Sequence, residues 1–146
     1  MLSQFKTPLL LLSSLALCAC SAVTQLSSTQ SDATITIKEG KHSGNPRSET
    51  LKTTSFGNYE FKVEQPQGKV LYGVLPLKFN GGYLAADILF FAPAAFFNLR
   101  EVYPYYEFDT EKGVVRYKNK PQDSWLEYAP LAAESERAKA YFNAKP

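Results

Sequence analysis

Several stretches of the chain alternate apolar and polar residues with a period of two, the pattern of a half-buried strand. From Ala33 to Lys38, Ile35 and Ile37 fall on one face and Thr34, Thr36 and Lys38 on the other. From Gly57 to Glu64, Tyr59, Phe61 and Val63 point inward, and Asn58, Glu60, Lys62 and Glu64 outward. Pro66-Gln67-Gly68 breaks that run, and Lys69 to Leu75 reads as its partner strand, ended by Pro76. Between them, Gly40 to Ser48 is polar and turn-rich. The clearest hairpin is YPYYEF–DTEK–GVVRYK, with Asp109 and Thr110 opening a type I turn and Gly113 closing it at positive φ. In that register Tyr106 and Phe108 share a face with Val115 and Tyr117, while Tyr105 and Glu107 share the other with Arg116 and Lys118.

Two stretches leave this period. After Pro130, the alanine-rich Leu131 to Phe142 has early glutamates and later Arg137 and Lys139, matching the helix dipole. It predicts one helix that docks on the sheet through Leu131, Ala138 and Phe142, with Glu134–Arg137 and Glu136–Lys139 as i,i+3 pairs. The other stretch is DILFFAPAAFFN, residues 87 to 98, with Phe90, Phe91, Phe96 and Phe97 around Pro93. Ten residues lie between Asp87 and Asn98, and as a helix they would reach only about 15 Å. A bilayer core needs about 30 Å, so the segment does not span. Pro93 bends it. It is either a buried element that fills the core, or a surface element whose four phenylalanines form an apolar contact surface for membrane or ligand.

The N-terminus carries an address. Lys6 supplies the only charge before an apolar run, Leu9 to Leu17, that is too short for a permanent span. Leu17-Cys18-Ala19-Cys20 follows, with Leu at −3, Ala at −1 and Cys20 at +1. This arrangement resembles the lipobox of bacterial lipoproteins; Cys18 fits less well, because bulky Leu17 would stand at its −1 position. The resemblance implies removal of residues 1–19, a diacylglyceryl group on the Cys20 sulfur and acylation of its new amino group. Two or more acyl chains make such an anchor stable. Ser21, rather than the aspartate that resembles an inner-membrane retention signal, follows the cysteine, so the expected location is the outer membrane, facing the periplasm.

Cleavage would remove Cys18 and lipid would occupy Cys20, leaving the mature chain no thiol for a disulfide. Loss of Lys6 takes the formal charge from +2 to about +1, with basic and acidic residues interleaved, which is no signature of nucleic-acid binding. Ser21 to Asp32, rich in Ser, Thr and Gln, predicts a flexible tether, so that residues 20–32 form the lipidated cysteine and linker and residues 33–146 a single domain.

Candidate chemistry is sparse. His42, the only histidine, sits in the polar GKHSGN with no partner cysteine, which argues against a nucleophile–base pair. No spacing suits a zinc site, and no cofactor is expected. Glu107, Asp109 and Glu111 recur at every second residue and could form a calcium cluster or a carboxylate pair, but the hairpin explains them as a polar strand face and its turn. Asp87 beside the apolar run is either an N-cap or a buried acid with a raised pKa. Gly81-Gly82 reads as a turn, since no Lys-Ser/Thr follows.

GNYEFKVEQPQG resembles the glycine, aromatic, alternating-strand and Pro/Gly pattern of PEGA-type β-domains in envelope lipoproteins, and residues 81 to 118 are similar in layout to the segment that follows in some of them. The resemblance implies a β-domain without catalytic residues. The expectation is therefore α+β: a small antiparallel sheet, a bent apolar helical segment and one C-terminal helix. The expected role is that of a non-catalytic, lipid-anchored envelope protein, accessory or structural, that binds a protein partner. The alternative is a carrier or sensor of an apolar ligand such as lipid.

Overall fold

The computed structural model describes residues 21–38, 40–43, 46–52, 59–79 and 100–144. The strands are β1 (Ser21–Ser28), β2 (Thr34–Ile37), β3 (Gly40–Ser43), β4 (Arg47–Lys52), β5 (Glu60–Glu64), β6 (Val70–Val74), β7 (Leu77–Phe79), β8 (Arg100–Val102), β9 (Tyr105–Asp109), β10 (Val114–Lys118) and β11 (Leu126–Tyr128). One helix, α1 (Ala132–Asn143), follows them. The described fold is α+β in the broad sense and mainly β.

Five strands form one sheet in the order β11-β10-β9-β1-β4, four form a second in the order β3-β2-β5-β6, and β7 pairs with β8. The two larger sheets face each other, each turning alternate residues inward. Leu26, Tyr106, Phe108 and Val115 come from the first; Ile35, Ile37, Phe61 and Val63 come from the second. The Phe61 and Phe108 rings meet at 4.9 Å between centroids, a tilted pair at the middle of this core.

The expected tether is a strand. Ser21–Ser28 lies inside the five-stranded sheet, antiparallel to β4 and parallel to β9. Its composition misleads because its inward polar side chains find backbone partners: the buried Thr24 hydroxyl donates to the Tyr103 carbonyl at 2.7 Å, and Ser28 to Phe108 at 3.2 Å. Leu26 between them is fully buried. Residues 21–28 therefore belong to the sheet rather than to a linker, and the parallel β1–β9 pair makes this sheet mixed rather than purely antiparallel. Gly40 to Ser48 also differs from expectation. It contributes β3 and the start of β4, and His42 stands in the ladder opposite Ile35.

The other patterns hold. Tyr106 pairs with Tyr117 and Phe108 with Val115, and Gly113 takes φ +71°. Asp109 Oδ1 accepts from the Glu111 and Lys112 amides at 3.1 and 3.0 Å, which folds the turn. The β5–β6 turn uses Gly68 at φ +89°. Phe79 stands opposite Arg100, so the chain leaves the described fold at 79 and re-enters it beside that point. Asp87, Phe90, Phe91, Phe96 and Phe97, together with Gly81 and Gly82, lie outside the described residues; so does the bent apolar segment as a whole.

Helix α1 lies on β5 and β6, on the side of the second sheet away from the core. Ala138 is fully buried, Phe142 packs near Tyr72 at 6.5 Å, and the Ser135 hydroxyl donates to the Tyr72 carbonyl at 3.0 Å. Leu131, expected in the docking stripe, is exposed at the N-cap. Glu134 turns back to accept from the Leu131 amide at 2.9 Å and from the Tyr128 hydroxyl, rather than pairing with Arg137. Arg137 reaches Glu60 at 3.3 Å, and Lys38 meets the same carboxylate at 3.1 Å. Glu60 thus lies on the outward face of its strand, as the alternation requires, and is nevertheless buried because the helix covers that face. Gly73 stands opposite Phe61 on the core-facing side of β6, where an added Cβ would sit 2.7 Å from both the Phe61 ring and Pro130.

Two tyrosines couple this packing to pH. Tyr106 donates to the Pro76 carbonyl at 2.6 Å and accepts from the Tyr103 amide at 2.9 Å, and burial raises its pKa above the ordinary phenol value. Burial, and then the hydrogen bond to Glu134, push Tyr128 from 10.0 up to about 12. A phenol held protonated in the folded state contributes stability that is complete below its unfolded pKa and lost as pH rises through the folded one. The melting temperature is therefore expected to fall as pH rises from about 10 to about 12, and Tyr128→Phe to fall less steeply; an equal slope in both proteins would contradict the assignment.

Candidate partner-binding groove

The outer face of the five-stranded sheet is polar where β1, β9 and β10 turn their odd-numbered or even-numbered residues outward: Gln25 and Ser27, Tyr105 and Glu107, Arg116 and Lys118. After β10 the chain turns at Lys120–Asp123, where the Lys120 amide donates to Asp123 Oδ2 at 3.0 Å and the Asp123 amide to the Lys120 carbonyl at 3.1 Å. This turn raises Pro121 and Trp125 as a wall. Pro46, just before β4, helps line the cleft, which has a volume of about 450 Å³ and is open to solvent.

Lys118 organises the wall. Its ammonium group donates to the Pro121 carbonyl at 2.6 Å and lies 4.5 Å from the Trp125 ring centroid and 5.7 Å from that of Tyr105. Cation–π attraction and one hydrogen bond thus hold the two rings around a fixed positive charge. On the floor, Glu107 pairs with Arg116 at 2.9 Å. The groove combines aromatic faces, a cation and neutral hydrogen-bonding groups, a set suited to a partner with both polar and apolar atoms. Leu126, beside Trp125 on the edge strand, is exposed as well.

The carboxylates singled out in the sequence do not converge. Glu107 joins Arg116, Asp109 caps its own turn, and Glu111 bonds Lys69 and accepts from Gln65 at 3.3 Å, tying the β9–β10 turn to the β5–β6 turn. The Lys69 hydrogen bond holds the Glu111 carboxyl below the usual range. Among the described residues no three His, Cys, Asp or Glu side chains gather as a metal site, and no helix is long and apolar enough to cross a membrane. Cys20 and the four phenylalanines of the apolar segment lie outside the described residues. Trp125 is the residue the pattern reading passed over. It is the only tryptophan in the chain and stands in the polar PQDSWLEY, which is itself a signal, since a large aromatic among polar residues is an anchor for a surface contact.

Comparison with protein families, with curated proteins and with solved structures finds no match to this chain.

Proposed function

We propose that the protein is a non-catalytic lipoprotein of the bacterial envelope, anchored through Cys20 in the outer membrane, facing the periplasm, and acting as an accessory component that binds a protein partner. The observation that carries the reading is the order of the N-terminal signal: one cation, an apolar run, then Leu17-Cys18-Ala19-Cys20. The partner-binding half rests on the groove, where Lys118 presents the Trp125 and Tyr105 rings in a fixed arrangement. Rigid aromatic anchors of this kind contribute most of the energy at protein contacts.

The test has two arms. Cys20→Ser is expected to abolish metabolic labelling with palmitate, while Cys18→Ser leaves it intact; normal labelling of the Cys20 variant would remove the anchor. In cells, a photocrosslinking residue at Ser48, on the outer face near Gln25, is expected to capture a defined protein in the presence of Trp125 and to lose it in Trp125→Ala. Capture unaffected by that change would move the contact elsewhere. The carrier alternative draws on Phe90, Phe91, Phe96 and Phe97 in the sequence alone; the described groove, with Gln25, Ser27, Glu107 and Lys118 in its lining, suits a polar partner better than a lipid chain.

A further inference from the structure

The strands give the domain two distinct ends. β1 and β9 run parallel, with Gln25 beside Tyr105, and the Thr24 hydroxyl bonds the Tyr103 carbonyl. The chain that leads into β9 lies on the Ser21 side of Gln25, as the Thr24–Tyr103 bond shows, and β8, which belongs to it, touches β1. Phe79 stands opposite Arg100, and antiparallel β4 ends with Lys52 opposite Ser21. One end thus gathers Ser21, Lys52, Phe79 and Arg100. The opposite end holds the turns Pro66–Gly68 and Asp109–Gly113, joined by Lys69–Glu111 and by Gln65–Thr110. Seven strand steps along β1 separate the two ends by about 23 Å at roughly 3.3 Å per residue.

We propose that the end carrying Ser21, Phe79 and Arg100 rests on the bilayer surface, with Phe79 at the boundary between headgroups and acyl chains and the two turns directed away from it. This inference rests on acylation of Cys20. If the acyl chains are attached there, Ser21 is the next residue and already belongs to the sheet, so no linker separates anchor from domain. A sheet held by its first residue can lean but cannot move off the surface, and whatever surrounds Ser21 meets the headgroups. What surrounds it suits that place. Phe79, a large aromatic, is 60% exposed, and Arg100 beside it is an exposed cation. Aromatic rings favour the membrane boundary, and cations are drawn to anionic headgroups. The remote turns, in contrast, carry Gln67, Glu111 and Lys112, all exposed.

Depth measurement tests the arrangement. The mature lipidated protein offers no other thiol, so Arg100→Cys, which keeps Phe79, and Lys112→Cys can each carry a single fluorophore. Both are reconstituted into phosphatidylethanolamine–phosphatidylglycerol vesicles containing nitroxide-labelled lipid. Quenching is expected to be several-fold stronger at position 100 than at 112. Equal quenching, or stronger quenching at 112, with protein that floats with the vesicles, would overturn the end-on arrangement while leaving the anchor in place. Protein that fails to float would overturn the anchor itself, and the docking with it.

Discussion

Leu26→Ala is expected to cost about 2–5 kcal/mol, and removal of Ser21–Ser28 to abolish cooperative unfolding altogether. Leu26 is fully buried between the sheets, and the strand that bears it connects β9 to β4. Without β1, β4 has no partner in the sheet and β9 becomes an open edge. The core also loses the hydrogen bonds that Thr24 and Ser28 make to Tyr103 and Phe108. A whole domain is typically stable by only about 5–15 kcal/mol, so one leucine is a large fraction of the total. Urea denaturation followed by circular dichroism, on unacylated chains that start at Ser21 and at Thr29, makes the comparison. Equal midpoints for the two chains would show that these residues are a tether after all.

Phe61→Ala should be at least as damaging, at about 3–5 kcal/mol. Its ring is fully buried, rests on Phe108, and fills the space left by Gly73, where any β-carbon would collide with it. Pro130 crowds the same Cβ position at Gly73, so the surroundings have little freedom to collapse into the void. The Phe61→Ala, Phe108→Ala pair is expected to be non-additive, because each ring is the other's neighbour. Thermal melting of the two single variants and the double variant measures both effects. Strictly additive losses would show that the rings act independently.

Alternation made the β9–β10 hairpin legible because two signals agree there: a period of two on both sides and Asp109 and Gly113 at the turn. The same holds for β5 and β6 around Pro66 to Gly68. β1 was hidden by composition. Its inward positions are Thr24, Leu26 and Ser28, and a single leucine among hydroxyls does not register as periodicity. Only the tertiary fold supplies the carbonyls of Tyr103 and Phe108 that make those hydroxyls acceptable inside. β3 and β4 are edge strands, whose polar residues read as loop. Glu60 marks a different limit: alternation assigns a face but does not say what covers it, and the covering helix lies more than seventy residues further along. Of the candidate sites, the groove depends on the turn at Lys120–Asp123 and on β1 passing beside β9, neither of which leaves a local signature.

The pairing of β1 with β9 also orders events in time. Gln25 and Tyr105 are 80 residues apart, the separation at which Ser28 meets Phe108. Contacts at such distance form late, since the intervening chain must first give up its freedom. Until β9 has been delivered, Ser21–Ser28 has only β4 to pair with and remains easily opened. A peptidase acting at the Ala19–Cys20 bond needs extended, unpaired chain on both sides of its target. On the lipoprotein reading, the first strand is thus locked late, and the interval before locking leaves the chain around Cys20 open to acylation and cleavage. A variant that folded faster through stronger β1–β4 pairing would shorten that interval and accumulate as uncleaved precursor.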